Sequence, residues 1–274
     1  MPPLAPTSSL AGARAREPIG LWLLVGLAVL SFPGNASASF IDRASREINL
    51  KVVYFGTDAG QLEGNLRYVY GQLPPESKGK LIELDGADAK FLLFDFVPPA
   101  LGEFRGFKLR FHLYAALPTR SAETENAETE RLITKGADVI VFVADSDRRQ
   151  EAWTRQKLAN LHASLTAHGY SAASVPVVLQ LHRSSEANPL TRDELTRAAA
   201  EATFADAPVV DADTASGAGV FDTLKAVAKA AVLALKEASN TERRSTLPPA
   251  PAEPRSSPAS PGPSVPAKDA VGKP

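Results

Sequence analysis

Two apolar periods take turns along the middle of the chain. Leu50–Phe55, ending in Val52-Val53-Tyr54-Phe55, reads as a buried strand, and Gln61–Gly71 places Leu62, Leu66 and Val69 on one helical face. Phe91–Val97 (FLLFDFV) reads as a second strand. Phe104–Tyr114 alternates strictly, with Phe107, Leu109, Phe111 and Leu113 on one face and Lys108, Arg110 and His112 on the other. That period of two predicts an antiparallel hairpin partner or an edge strand. Ala122–Lys135 reads as a helix with a polar, acidic first half. Asp138–Asp145 (DVIVFVAD) is an unbroken apolar run, as expected of a central parallel strand covered on both faces. Arg148–His168 predicts a long helix with Leu158, Leu161 and Leu165 inward, and Val175–Leu181 the next strand. Thr191 with Glu194 forms a capping box that opens another helix. Pro208–Val210 reads as a short last strand. Gly219–Ala238 reads as a closing amphipathic helix carrying Val220, Leu224, Val227, Val232 and Leu235. Such alternation implies an α/β domain, a mostly parallel sheet of six to seven strands with helices on both faces.

The two ends carry no such pattern, which sets the domain at residues 39–239. Residues 240–274 are rich in Pro, Ser, Ala and charge, a composition that buries too little apolar area to offset its ordering entropy, so a disordered tail is expected. In residues 1–38, Arg14 and Arg16 precede an apolar run, Ile19–Phe32, which Pro33-Gly34 ends before Ala36-Ser37-Ala38. Basic region, short apolar core and A-x-A site have the form of a secretory signal peptide. The run is 14 residues long, short of the roughly 20 that a spanning helix needs. Three readings stand: a cleaved signal, an uncleaved anchor, or a start codon set too far upstream. A membrane partner or a periplasmic location follows only if the segment is real.

Charge and cysteine usage exclude several classes. With 30 Lys+Arg against 31 Asp+Glu the net charge is −1, which gives no electrostatic reason to expect nucleic acid. The absence of cysteine excludes disulfides and thiolate metal sites, and four dispersed histidines give no metal cluster. No nucleophile–base pair stands out, so no catalytic residue is assigned.

One junction carries candidate chemistry. Val52–Phe55 runs into Gly56 and then toward the first helix, which is the frame of a phosphate-binding loop, G-x-x-x-x-G-K-[ST]. Counted from Gly56, the closing positions read Gln61-Leu62-Glu63, so glycine, lysine and hydroxyl are all replaced. Two readings of the loop stand together. Gly56 and Leu62 serve a tight turn and burial under the helix, with Asp58 and Glu63 solvated. Alternatively Asp58 or Glu63 takes the place of a phosphate at the helix N-terminus, where unpaired N–H groups attract an anion.

Ser39-Phe40-Ile41, Ser45–Asn49, Ser77–Ile82, Phe94-Asp95-Phe96, Arg105–Lys108, Arg110–Tyr114, Lys135–Asp138, Val141–Ser146, Gly217–Phe221 and Thr223–Val227 together resemble the MglA family, the bacterial gliding-motility small GTPases. The resemblance implies a Ras-like P-loop NTPase fold from Ser39 to the closing helix and a cytoplasmic cell-polarity switch. It also implies a dimeric roadblock-type partner, MglB, or motility effectors. In active members the loop lysine contacts the β- and γ-phosphates and the next hydroxyl holds Mg²⁺. Here those positions are Leu62 and Glu63, and the second-strand threonine that reaches Mg²⁺ aligns with Phe91. Glu63 could hold a metal only as a single ligand, and a carboxylate beside a triphosphate repels it by several kcal/mol at about 4 Å. No glycine lies between Tyr114 and Gly136, so the γ-phosphate-sensing switch has no equivalent. The base-recognition motif N-K-x-D reads His182-Arg183-Ser184-Ser185.

Framework kept and nucleotide motifs altered together imply a pseudo-GTPase, a protein-binding module with no cofactor. The alternatives are a divergent small GTPase that binds GTP or GDP and Mg²⁺ through non-standard residues, and an exported or membrane-tethered structural protein on the same fold. At the remaining positions, His182 and Arg183 are expected either in a solvated loop or against an anionic ligand. The acidic run Glu123–Glu130 is expected as the wet face of a helix or as a partner contact. Phe91 is expected as core or as an interface anchor.

Overall fold

A computed structural model describes residues 40–86, 89–98, 103–118, 127–171, 174–183 and 188–246. Nine strands occur among these residues: β1 Phe40–Asp42, β2 Glu47–Gly56, β3 Ile82–Asp85, β4 Ala89–Phe96, β5 Glu103–Phe104, β6 Phe107–Pro118, β7 Val139–Asp145, β8 Val177–His182 and β9 Val209–Ala212. The helices are α1 Ala59–Gln72, α2 Ala127–Thr134, α3 Glu151–Ala167, α4 Arg192–Glu201 and α5 Val220–Thr246. The sheet order is β3-β4-β6-β2-β7-β8-β9, with β1 added to β2 and β5 to β6. From β6 to β9 every neighbouring pair is parallel, while β3–β4 and β4–β6 are antiparallel. The expected mostly parallel α/β sheet is therefore present.

The unbroken apolar run became β7, seated between β2 and β8, with Val139–Ala144 all at 0 % exposure. Side chains alternate across the sheet, so each face needs its own cover. On one face Leu50, Val52, Tyr54, Val139, Val141 and Val143 meet Leu62, Leu66 and Val69 of α1 and Val220, Leu224 and Val227 of α5. On the other, Val53, Phe55, Ile140 and Phe142 meet Leu158, Leu161 and Leu165 of α3 and Leu195 of α4.

β6 is an interior strand, which corrects the edge reading. It pairs parallel with β2 and antiparallel with β4. Its polar face is half-buried because ion pairs run across the strands: Arg110 binds Glu47 at 2.8 and 2.9 Å and Asp95 at 2.6 Å, and His112 Nε2 meets Asn49 Oδ1 at 2.8 Å. The expected strand start at Phe104 ran through a turn. Arg105 (φ 54°) and Gly106 (φ 79°) reverse the chain, and Phe104 pairs back onto Phe107. Two positive φ values in a two-residue hairpin loop match the right-handed twist of the strands.

Other ends also moved. α1 begins at Ala59 rather than Gln61, and α2 is described only from Ala127. α5 runs on to Thr246, past the expected end at Ala238, so the first positions assigned to a tail are helical. Residues 1–38 and 247–274 lie outside the described residues. Among the described residues no helix is long and apolar enough to cross a membrane.

Candidate functional site

The junction of β2 and α1 is built by close approach. A methyl group at Gly56 would lie 2.2 Å from the Val143 carbonyl oxygen, so only glycine lets β2 pass β7 at this point. The next residue returns to the same acceptor, Thr57 N–H donating to Val143 O at 3.2 Å. Asp58 then takes the extended conformation of an N-cap, and its carboxylate accepts the Gln61 N–H at 2.8 Å. A helix N-terminus leaves its first donors without intrahelical partners. Here one of them is satisfied from within the chain by an anion.

The three substituted closing positions go to three different places. Gln61 is buried and its Nε2 donates to Asp145 Oδ2 at the end of β7, 2.6 Å away. Leu62 is 2 % exposed and joins the core under α1. Glu63 is half-exposed and accepts from Arg67 Nε one turn along α1 at 2.6 Å, and Arg67 continues to Glu83 at 2.7 Å. Its carboxylate is thus engaged on the outer face of α1, away from the helix N-terminus.

Below the loop lies a polar network of uncharged side chains. Asn65, fully buried, donates to Gln61 O at 2.9 Å and to Gln180 Oε1 at 2.7 Å. Gln180 in β8 donates back to Asn65 Oδ1 and to Thr223 Oγ1, both at 2.9 Å. This reciprocal amide pair joins α1, β8 and α5. The sequence signal for it was a glutamine inside an otherwise apolar strand, Val177–Leu181.

The base-side positions close on the protein itself. His182 ends β8, is buried, and its Nε2 accepts the Thr214 N–H at 3.0 Å and lies 3.0 Å from Thr214 Oγ1. With Nε2 accepting, the neutral ring carries its proton on Nδ1. His182 is therefore not in a solvated loop, which corrects one of the two expectations for it. Arg183 is exposed, and its backbone N–H donates to Ala212 O at 3.0 Å. Ser185 lies outside the described residues. Phe91 in β4 is half-buried, opposite Ala116 of β6 and Leu84 of β3.

A small cavity opens between the loop and the helices beyond it, lined by Gly56, Leu62, Ala89, Ala116, Glu130 and Lys157 among others. Its charged wall is a buried ion pair: Lys157 of α3 binds Glu130 of α2. The Lys157 ammonium also lies 4.7 Å from the Trp153 ring centre and 5.6 Å from that of Phe55. Glu130 is 8 % exposed, so the acid that ends the Glu123–Glu130 run is not part of a wet face. Lys157 drew no notice in the sequence because it sits among polar residues at a helical spacing.

These groups can be tested against a magnesium nucleotide. A triphosphate needs free N–H donors and a cation, and its metal needs hydroxyls. One donor at the helix N-terminus is held by Asp58, the cation's position is a buried leucine, and the hydroxyl positions are Glu63, bound to Arg67, and Phe91. The residues present do not fit the group, and no catalytic step is derived through it. Among the described residues, no set of three or more histidine and acidic side chains is placed to hold a metal.

The strand order, with its antiparallel β4–β6 pair beside a parallel block and helices on both faces, is that of a Ras-like α/β protein. Over 199 residues the chain is 41 % identical to the mutual gliding-motility protein MglA of Myxococcus xanthus (strain DK1622), which covers 73 % of this chain and 98 % of that one. The chain belongs to the MglA family of gliding-motility small GTPases. No protein-family model matches it.

Proposed function

We propose that this chain is a pseudo-GTPase of its family, a protein-binding module whose nucleotide site is closed from within. The observation that carries the reading is the Asp58 carboxylate on the Gln61 N–H at the start of α1. A helix N-terminus is a ready anion site. An anion supplied by the chain occupies the donor and repels a second anion brought to the same place. The buried Leu62, the Glu63–Arg67 pair and the His182–Thr214 contact support it at the neighbouring positions. The role that follows is recognition of protein partners in motility and cell polarity, an MglB-like roadblock protein or an effector, with no hydrolysis. Isothermal titration calorimetry of the full chain with GTP and with GDP, each with Mg²⁺, is expected to show no binding. Micromolar affinity for either would establish the divergent-GTPase reading instead.

A further inference from the structure

The two ends of the sheet are finished differently. At the β9 end, Arg192 of α4 donates to the Val209 carbonyl and pairs with the Asp211 carboxylate at 3.3 Å, so a side chain covers an open acceptor of the strand. At the β3 end no side chain among the described residues does so. All four residues of β3 are exposed, and among the described residues its only backbone bonding is to β4. Ile82 and Leu84 are 43 % and 52 % exposed and lie opposite Leu93 and Phe91, which are half-buried. An apolar strip thus runs to an unpaired edge. Natural sheets usually blunt such an edge with charge, proline or cover.

β3 carries two acids, Glu83 and Asp85, on the face opposite Ile82 and Leu84, and the first of them is neutralised. Glu83 is held between Arg67 at 2.7 Å and Lys90. That leaves an apolar–neutralised–apolar run, Ile82-Glu83-Leu84, that reads nearly alike in both directions. A two-fold interface requires that kind of self-complementarity. Facing residues in an antiparallel pair lie on the same side of the sheet, so the axis must pass through a residue. An axis at Glu83 brings Ile82 against Leu84 of the second copy twice, and opposes only the two glutamates, each flanked by its arginine and lysine. An axis at Leu84 opposes Glu83 to Asp85 twice, four acids in two unfavourable pairs. The first register is favoured by both the apolar and the charge pairing.

We propose that β3 is a self-association edge, on which two copies of this chain pair antiparallel about Glu83 to make one sheet continuous across a two-fold axis. The interface is small, so the dimer dissociates on dilution through the micromolar range, on the order expected for a contact below standard size. The inference does not depend on the nucleotide reading, and its failure would leave that reading untouched.

The chain contains no cysteine, so introduced cysteines report the register. Sedimentation velocity of the full chain without nucleotide is expected to show a concentration-dependent dimer that Leu84→Lys abolishes, with the circular dichroism of the variant unchanged. On mild oxidation Glu83→Cys is expected to cross-link to itself. Ile82→Cys mixed with Leu84→Cys, which keeps Glu83 and its ion pairs, is expected to give a mixed cross-link, and Leu84→Cys alone none. A monomer up to roughly 200 µM, well above micromolar dissociation, would overturn the proposal. So would a dimer that survives Leu84→Lys, or self-cross-linking of Leu84→Cys in place of the mixed pair.

Discussion

Asp58 is short, anionic and placed one residue before a helix, so its carboxylate reaches back over the first turn to the Gln61 N–H. Aspartate and asparagine are about equally good N-caps, and replacing either by alanine costs about 1 kcal/mol. Asp58→Ala is therefore expected to lower the unfolding free energy by about that amount in urea titration, and Asp58→Asn to leave it nearly unchanged. A loss in neither variant would show that the carboxylate does not hold the turn. The acids of the loop were legible in the sequence as a pair of anion candidates. Their division of labour was not, because it depends on Arg67, one turn beyond Glu63, and on Glu83 in a strand across the sheet edge. His182 was likewise legible as a substituted position, while its partner Thr214 follows β9 and no local pattern joins the two.

At the scale of elements, α2 is short, and beside the apolar Ile133 it buries a charged group. The Lys157–Glu130 pair is buried on both sides, with side chains 8 % and 10 % exposed. Removing one partner of a buried pair leaves an uncompensated charge and costs about 3–5 kcal/mol, whereas replacing both by apolar groups is often neutral. Lys157→Met is expected to destabilise by about that amount and Lys157→Met with Glu130→Leu to recover most of it, measured by chemical denaturation. If the single and double variants lose equally, α2 is held by something else. Strong period signals gave β7, α3 and the α4 capping box in the sequence, since burial on both faces and a local cap leave marks within a few residues. The two short strands β1 and β5 left no such mark, being fixed by pairing with partners rather than by their own side chains.

At the scale of the whole molecule, stability against pH records a half-buried charge. Lys51 of β2 donates to the Lys135 carbonyl at 2.8 Å and lies 5.1 Å from the Tyr114 ring centre. Burial holds its ammonium down to about 8 from an ordinary 10.5, partly opposed by Asp138. The unfolded chain therefore binds more protons between those two values, and stability rises with pH across that window. Below pH 8 both states are protonated and the penalty is constant. The unfolding free energy of the wild type minus that of Lys51→Met is expected to rise from pH 8 to 10.5 and to be flat below; a flat difference throughout would mean that Lys51 is solvated. The α/β architecture was legible at this scale from alternation alone. The antiparallel partner of β6 was legible from its period of two and is β4, but its second, parallel neighbour β2 was not, because that period is the same whether a neighbour lies on one side or on both.

Arg192 gives the sheet a direction of growth. A sheet open at both margins can recruit strand after strand without end, as fibres do. With the β9 margin stopped by a guanidinium and the β3 margin bare, whatever strand is added at β3 finds no second place to continue. Joining two such sheets by their bare margins leaves only stopped ones. The same asymmetry that exposes apolar side chains on this chain also sets its valency at one, and so limits any assembly built on that edge to a finite pair.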